Sequence, residues 1–178
     1  MYRSVVKIVN NKDNILRIAD LKHKGKPFEY AVKMKEIPEQ YRLDNLLFTR
    51  KVSLRTIERL VEILVRFHIH TRTSKEIKCH GRPQFINEKI NKNFDTISKL
   101  KVDEKLRKVL LCFVEDNQSL FLNRIHENKI RDIHGDLHLE NIFTLQNRFY
   151  LYDRIEFNDS LRYADIAEDV AHLCMHGP

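Results

Sequence analysis

The segment HGDLHLEN is the feature that most constrains how this chain folds. Within it, His134, Asp136 and Asn141 fit the spacing HxDxxxxN, and Asp153 follows twelve residues after the asparagine. The residues between are an apolar run, IFTL, a Gln-Asn turn and a second run, FYLYD, which together predict a two-stranded hairpin. Such a hairpin would bring Asn141 and Asp153 to the same end of adjacent strands.

These residue types match the needs of phosphoryl transfer. In that reaction a carboxylate orients the acceptor hydroxyl and accepts its proton, and hard oxygen ligands hold Mg²⁺ against the nucleotide phosphates. Asp136 suits the first role, whereas Asn141 and Asp153 suit the second. We therefore predict a catalytic and metal-binding segment over residues 132–153.

The N-terminal part of the chain has the pattern of a small antiparallel sheet. Three short runs rich in branched residues are separated by turn signals: VVKIV, ILRIA and FEYAVKM. In the third run, alternation places Ala31 and Lys33 on one face and Val32 and Met34 on the other. Lys33 can then contact phosphate oxygens from a cleft, although a lysine on a half-buried strand more often faces solvent.

After Pro38 the apolar period changes to three and four residues, which predicts helices. Ser53 is placed to cap a helix of about five turns. Its inward positions recur at three- and four-residue steps: Leu54, Ile57, Leu60, Val61, Leu64 and either Phe67 or His68. Residues 79–100 are expected to form a loop followed by a shorter helix. The apolar positions from Leu106 to Phe121 predict one long helix or a broken pair, with Asp103 as its cap.

The C-terminal part predicts one further helix. Asp165 and Glu168 have the spacing of a capping box in front of the apolar run IAEDVAHL. Gly177 and Pro178 are expected to end this helix.

Composition sets broader limits on the function. A chain of 178 residues with 42% hydrophobic content can bury a core, and it has no run of about 18 apolar residues. The N-terminus lacks the apolar stretch of a signal peptide, so a cytoplasmic location is expected. Cys79, Cys112 and Cys174 form no CxxC pair, and we expect reduced thiols in or near the core. The net charge of +7 is spread along the chain and favours an anionic ligand only weakly.

The combination of FEYAVKM, HGDLHLENI and LYDRIEFNDSLRYADIAEDVAHL resembles the aminoglycoside phosphotransferase-like kinases. It looks closest to the branch in which such a domain is often joined to a C-terminal P-loop ATPase domain. The likeness is dense over residues 130–174 and moderate over 28–70. It implies a protein-kinase-like α+β fold, with a small antiparallel sheet over 1–36, a connector over 37–52 and a mainly helical lobe with the catalytic-loop hairpin over 53–178.

The resemblance also implies the chemistry and the partners. ATP with Mg²⁺ would be the donor and a small-molecule hydroxyl the acceptor. Lys33 would hold the donor phosphates, Asp136 would be the catalytic carboxylate, and Asn141 and Asp153 would be the metal ligands. His134 would support the loop by hydrogen bonding. A separate P-loop ATPase would be a protein partner. Independently of the resemblance, apolar surface where further helices would pack favours a dimer of the chain, and the lack of a long apolar run means that no membrane is expected.

The sequence departs from the kinase pattern in several places. The N-terminal sheet has a single glycine, Gly25, and so no GxGxxG loop to cover the phosphates. The chain begins and ends where further elements of such a domain would be expected, which predicts a partial domain. Asp153 is followed by Arg-Ile in place of Phe-Gly. The acidic partner of Lys33 stays open among three residues: Asp44, Glu58 and Glu62.

Three other functions compete with the phosphotransferase. The missing phosphate loop favours a kinase-like protein that binds nucleotide without turnover. His134 and His138 flank Asp136 and, with Cys79 and His80, could form the transition-metal site of a hydrolase. The basic charge allows nucleic-acid binding, but the chain lacks a basic helix, an RNP-type aromatic pair and a zinc finger.

Overall fold

A computed structural model describes residues 2–10, 15–97 and 104–175 of the chain. Within these residues the fold is mixed α+β, with small antiparallel sheets and seven α-helices. The chain divides into two units, Met1–Glu39 and Gln40–Pro178. The predicted α+β class is confirmed, and the kinase-like fold stays a prediction.

The elements follow one another in a simple order. The strands are β1 (Tyr2–Asn10), β2 (Leu16–Ala19), β3 (Glu29–Met34), β4 (Ile130–Asp132), β5 (Ile142–Leu145), β6 (Arg148–Leu151) and β7 (Tyr163–Asp165). The helices are α1 (Leu43–Phe48), α2 (Leu54–His70), α3 (Lys75–Cys79), α4 (Pro83–Ile97), α5 (Glu104–Asp116), α6 (Gln118–His126) and α7 (Ile166–Met175).

The first unit is the predicted three-stranded antiparallel sheet. Its strand order is β2-β1-β3. Ser4 pairs with Lys33, and Val6 pairs with Ala31. Since paired residues and alternate residues share a face, these four side chains lie on the same side of the sheet. The predicted alternation in β3 therefore holds.

Helix α2 is the long helix predicted from its apolar period. The hydroxyl of Ser53 accepts a hydrogen bond from the amide of Thr56, as an N-cap does. Leu60, Leu64 and His68 are the buried residues of this helix. They stand four residues apart, so they form one stripe along the helix.

The helices after α2 follow the predicted order. Residues 79–97 contain the predicted loop and shorter helix: α4 has 15 residues against the 17 of α2, and it begins at Pro83, soon after Gly81. The apolar run near Phe113 forms the broken pair α5 and α6, with Asn117 between them. The predicted cap Asp103 and the predicted stop at Gly177 and Pro178 lie outside the described residues.

The predicted connector contributes to the second unit. The boundary between the units follows Glu39, and helix α1 lies within the stretch predicted as a connector over 37–52. The reason is the side chain of Leu43, which is fully buried in the core of the second unit. A segment with such an anchor folds as part of the helical lobe.

The main core of the second unit joins distant parts of the chain. Its buried residues come from α1, α2, the loop after β4 and strand β5: Leu43, Leu60, Leu64, Leu137, Leu139 and Ile142. Partly buried residues from β6 and α7, among them Leu151 and Leu173, pack against them. The candidate catalytic loop is therefore built into the core.

The cysteines are more exposed than expected. Cys112 and Cys174 are exposed, and Cys79 is half-buried. The prediction that the thiols lie mostly in or near the core was wrong. Cys112 lies on α5, whose buried residue is Val114, so the thiol points away from the packed side of the helix.

Candidate functional site

The HGDLHLEN loop is fixed by apolar residues that alternate with polar ones. Ile133 and Leu137 are fully buried and Leu139 is nearly so. The side chain of Asp136, between them, is 46% exposed. The buried residues thus anchor the backbone in the core, while the carboxylate that we predict to be catalytic stays accessible to a ligand.

Asp136 and Asn141 are in direct contact. The side-chain amide nitrogen of Asn141 donates to the backbone oxygen of Asp136 at 3.0 Å and lies 3.4 Å from its carboxylate oxygen Oδ2. His138 Nε2 lies 3.6 Å from the same carboxylate oxygen. Because the nitrogen of Asn141 is held by Asp136, the amide oxygen, which is the atom that binds Mg²⁺, points away from that contact.

Asp153 lies at the open end of the β5–β6 hairpin. The amide of Tyr152 donates to the backbone oxygen of Asn141 at 2.8 Å, so Asn141 meets the residue that precedes Asp153. This agrees with the expected placement of the two predicted metal ligands at the same end of the hairpin. The strand itself ends at Leu151, two residues earlier than predicted. Asp153 is exposed and has a left-handed backbone with φ of 55°, which ends the regular extended chain.

Asp169 is the residue of the site that sequence reasoning missed. Its side chain is fully buried on α7, and its carboxylate accepts the amides of His134 at 3.0 Å and Gly135 at 2.9 Å. It also pairs with His68 Nε2 at 2.8 Å. Burial opposes the charge, but these three hydrogen bonds together hold the pKa of Asp169 below its ordinary value. Asp169 therefore fixes the backbone immediately before Asp136.

A signal for Asp169 was present in the sequence. It stands four residues before Leu173, which packs against the core, and so it lies on the same side of an apolar helix. A charged residue at such a position is buried only when it is paired. The predicted capping box involves two neighbours of Asp169, Asp165 and Glu168. The carboxylate of Asp165 accepts the amide of Ala167, as an N-cap does, whereas the carboxylate of Glu168 binds Lys89 at 2.5 Å.

His134 supports the loop differently from the prediction. Its ring is buried, and neither ring nitrogen makes a hydrogen bond of normal geometry with the described residues. Its backbone oxygen accepts the amide of Ile155 at 3.3 Å, and its amide binds Asp169. Burial lowers the pKa of His134, and the nearby charge of Asp169 and carbonyl of Tyr152 oppose this only in part. The ring contributes by packing, and its backbone makes the hydrogen bonds.

Asp132, just before the loop, is surrounded by arginines. Arg154 donates to its carboxylate at 2.5 Å, Arg162 Nε lies 3.4 Å from the same oxygen, and Arg72 lies 3.7 Å from the other. Asp132 is only 8% exposed, so water screens these charges weakly. Arg154 is the residue directly after the predicted metal ligand Asp153.

Lys33 is exposed on the face of the first sheet that also carries Ala31. It belongs to the first unit, whereas Asp136, Asn141 and Asp153 belong to the second. Its three candidate partners are also in the second unit. Among these, Asp44 is already bound by Arg42 through two hydrogen bonds, which lower the pKa of its carboxyl. The role of Lys33 toward nucleotide phosphates stays a prediction.

The oxygen groups at the hairpin end fit a magnesium ion better than a transition metal. The carboxylates of Asp136 and Asp153 and the amide oxygen of Asn141 are hard ligands of the kind that Mg²⁺ prefers. Among the described residues, no three histidine, cysteine, aspartate or glutamate side chains are grouped to hold a metal ion. His80, invoked for a hydrolase site, packs instead against the rings of Phe85 and Tyr163.

Comparison with known proteins gives distant relatives. The chain is 27% identical over 154 residues to uncharacterized proteins of Mycobacterium bovis and Mycobacterium tuberculosis, and the match covers 83% of this chain. It covers 31% of each relative, so the chain spans about a third of the length of the curated relatives it matches. No protein-family model and no solved structure matches the chain. In the described part of the chain, no helix has both the length and the hydrophobicity needed to span a bilayer.

Proposed function

We propose that this chain is a phosphotransferase that moves the γ-phosphoryl group of Mg²⁺-ATP to a hydroxyl of a small molecule, with a fold of the aminoglycoside phosphotransferase-like kinases. The observation that carries the proposal is the contact between Asp136 and Asn141 at the hairpin end from which Asp153 also extends. An accessible carboxylate next to a pair of hard oxygen ligands is the arrangement that phosphoryl transfer uses.

Each residue then has one task. Asp136 would bind the acceptor hydroxyl, orient its oxygen toward the γ-phosphorus and take its proton as the new P–O bond forms and ADP departs. Asn141 and Asp153 would hold Mg²⁺, which neutralises charge on the phosphates when it is bound. Lys33 would contact the donor phosphates. Asp169 would keep the loop backbone in place while Asp136 does this.

Ligand-dependent thermal unfolding tests the nucleotide site. With Mg²⁺-ATP at a hundred times its dissociation constant, the free energy of unfolding should rise by about 2.7 kcal/mol. For a domain of this size, that corresponds to a Tm increase of roughly 5 to 11 °C. Asp153→Asn should lose the magnesium-dependent part of this increase. Asp116→Asn, which changes an exposed aspartate at the end of α5, is the matched control and should keep it.

Transfer of labelled γ-phosphate to a panel of small hydroxyl compounds tests the chemistry. Asp136→Asn should retain the thermal shift with Mg²⁺-ATP and lose turnover. A wild-type chain that gives the shift but no transfer with any acceptor would favour a nucleotide-binding protein without catalysis. A well-folded wild type that gives no shift with Mg²⁺-ATP would contradict both proposals.

A further inference from the structure

Asp153 has a left-handed backbone conformation. Its φ of 55° lies in the left-handed region, which few residues with a Cβ adopt, although aspartate adopts it more often than most of them. The side chain is exposed, so its own packing supplies little restraint. A conformation of this kind persists only where the surrounding structure enforces it.

Both sides of Asp153 are tied to the candidate catalytic loop. On one side, the amide of Tyr152 donates to Asn141 at 2.8 Å. On the other side, the amide of Ile155 donates to the oxygen of His134 at 3.3 Å. Only Asp153 and Arg154 lie between these two attachments.

Arg154 supplies the third attachment through its side chain. Its Nε donates to the oxygen of Ile133 at 3.1 Å, and its Nη2 donates to the oxygen of Asp132 at 3.0 Å and to the Asp132 carboxylate at 2.5 Å. A guanidinium that binds two backbone oxygens and a carboxylate has little freedom to rotate. The backbone of residue 154 is therefore held against the strand that leads into the loop.

Asp132 is a firm anchor for this arginine. Its backbone amide donates to the backbone oxygen of Arg72 at 2.9 Å, and Asp132 pairs with Tyr163 across the β4–β7 sheet. Its carboxylate also lies 3.4 Å from Arg162 Nε. The carboxylate is nearly buried, so its attraction for Arg154 is not lost to solvent.

We propose that Arg154 and Asp132 form a clamp that holds Asp153 in its left-handed conformation and thereby sets the affinity of the site for a divalent cation. The inference rests on the proposed function, in which Asp153 is a metal ligand. Arg154 is a positioning residue, because it acts on the ligand through the backbone and leaves the coordination to Asp153. Residues that orient metal ligands in this way commonly change metal affinity by about 10- to 100-fold.

The test compares Arg154→Met with Arg131→Met. Arg131 also donates to three backbone oxygens, those of Ile69, Thr71 and Asn128, but it does not contact the segment around Asp153. Two properties of each variant are measured: the hydrogen-exchange protection of the Ile155 amide without ligand, and the affinity for Mn²⁺ in saturating ADP, from the EPR signal of free Mn²⁺. Protection is corrected for the intrinsic exchange rates, which depend on the neighbouring residues.

Arg154→Met should lower protection at Ile155 by about tenfold and weaken Mn²⁺ binding by about 10- to 100-fold. Arg154→Lys should recover part of the affinity, because it keeps the charge next to Asp132 but loses the forked contact. Arg131→Met should change neither property by more than about twofold, even if both variants are equally destabilised.

Three results would overturn the clamp. Wild-type protection and affinity in Arg154→Met would show that Arg154 does not position Asp153. Equal losses in Arg154→Met and Arg131→Met would show only a general loss of stability. A wild-type chain that binds no Mn²⁺ with ADP would remove the proposed function, and with it the metal role of the clamp. If the wild type binds Mn²⁺ with ADP and Arg154→Met binds it with the same affinity, the clamp is excluded and the proposed function is not affected.

Discussion

The carboxylate of Asp169, on the last described helix, accepts the backbone amide of Gly135 at 2.9 Å, in the loop that carries Asp136. With its bonds to His134 and His68, this contact ties the helix α7, the loop and the helix α2 to one buried charge. Asp169 can form all three bonds because a carboxylate accepts through both oxygens.

Removing the charge of Asp169 should therefore be costly. We expect Asp169→Asn to lower the free energy of unfolding by about 2–4 kcal/mol, since the amide group leaves at least one buried donor without its acceptor. Urea unfolding measures this loss. Glu104→Gln, at a carboxylate that is 79% exposed and lies 3.7 Å from Arg107, should cost less than about 1 kcal/mol. Similar losses in both variants would contradict the role assigned to Asp169.

Gly135 should resist substitution for two reasons. Its φ is +85°, and a Cβ at this position would lie 3.0 Å from the oxygen of Leu161 and 3.3 Å from Ile155 Cδ1. We expect Gly135→Ala to lower the free energy of unfolding by about 1–2 kcal/mol. Asn147→Gly, at a left-handed position in the β5–β6 turn, should change it by less than about 0.5 kcal/mol. Chemical denaturation of both variants decides the matter, and a neutral Gly135→Ala would contradict the predicted strain.

The burial of His134 predicts a dependence of stability on pH. Because its pKa is lowered in the folded chain, the unfolded chain takes up a proton first as the pH falls below about 6.5. Stability should then decrease toward lower pH, by at most about 1.4 kcal/mol per pH unit from this group. His134→Leu should flatten the slope between pH 7 and 5, measured by urea unfolding. Ile133→Val, a buried neighbour that does not titrate, should keep the wild-type slope.

Asp169 titrates in a separate, more acidic window. Its pKa is lowered in the folded chain, so its contribution is complete above about 3.8 and is lost as the pH falls below that value. His134→Leu and Ile133→Val should both keep this acidic loss of stability, because both variants retain Asp169. The same series of urea unfolding experiments, extended to pH 3, measures this loss of stability.

The exposure of the cysteines gives a prediction about labelling. Cys112 and Cys174 are exposed and should react with an uncharged thiol reagent under native conditions several times faster than Cys79, which is half-buried. Mass spectrometry of peptides at successive times separates the three sites. If the three cysteines are labelled at equal rates in the native chain, and urea does not change the rate at Cys79, the burial of Cys79 is contradicted.

The parts of the fold that follow from local patterns could be predicted from the sequence. The strands of the first sheet and helix α2 with its cap at Ser53 depend on alternation and on short-range hydrogen bonds. The hairpin that follows Asn141 depends on a turn between two apolar runs. Likewise, Asn141 contacts Asp136, which is only five positions earlier, and the HxDxxxxN motif contains both residues at that spacing.

The remaining features depend on contacts between distant residues. Helix α1 forms in a predicted connector because Leu43 is buried against α2 and the loop. Asp169 acts on residues 34 and 35 positions earlier, and its partner His68 lies 101 positions away. The residues on either side of Asp153 are hydrogen-bonded to Asn141 and His134, and the side chain of Arg154 binds Asp132, 22 positions earlier. Local sequence patterns do not show which distant residues come into contact, so neither Asp169 nor Arg154 could be assigned a role from sequence spacing alone.

The main core also determines when the chain can fold during synthesis. Leu43, Leu60 and Leu64 pack against Leu137 and Ile142, which leave the ribosome much later. The nascent chain must therefore expose the apolar side of α2 until the loop and the hairpin have emerged. Such nonlocal packing slows folding, and the exposed stripe is a natural binding site for a chaperone in the interval.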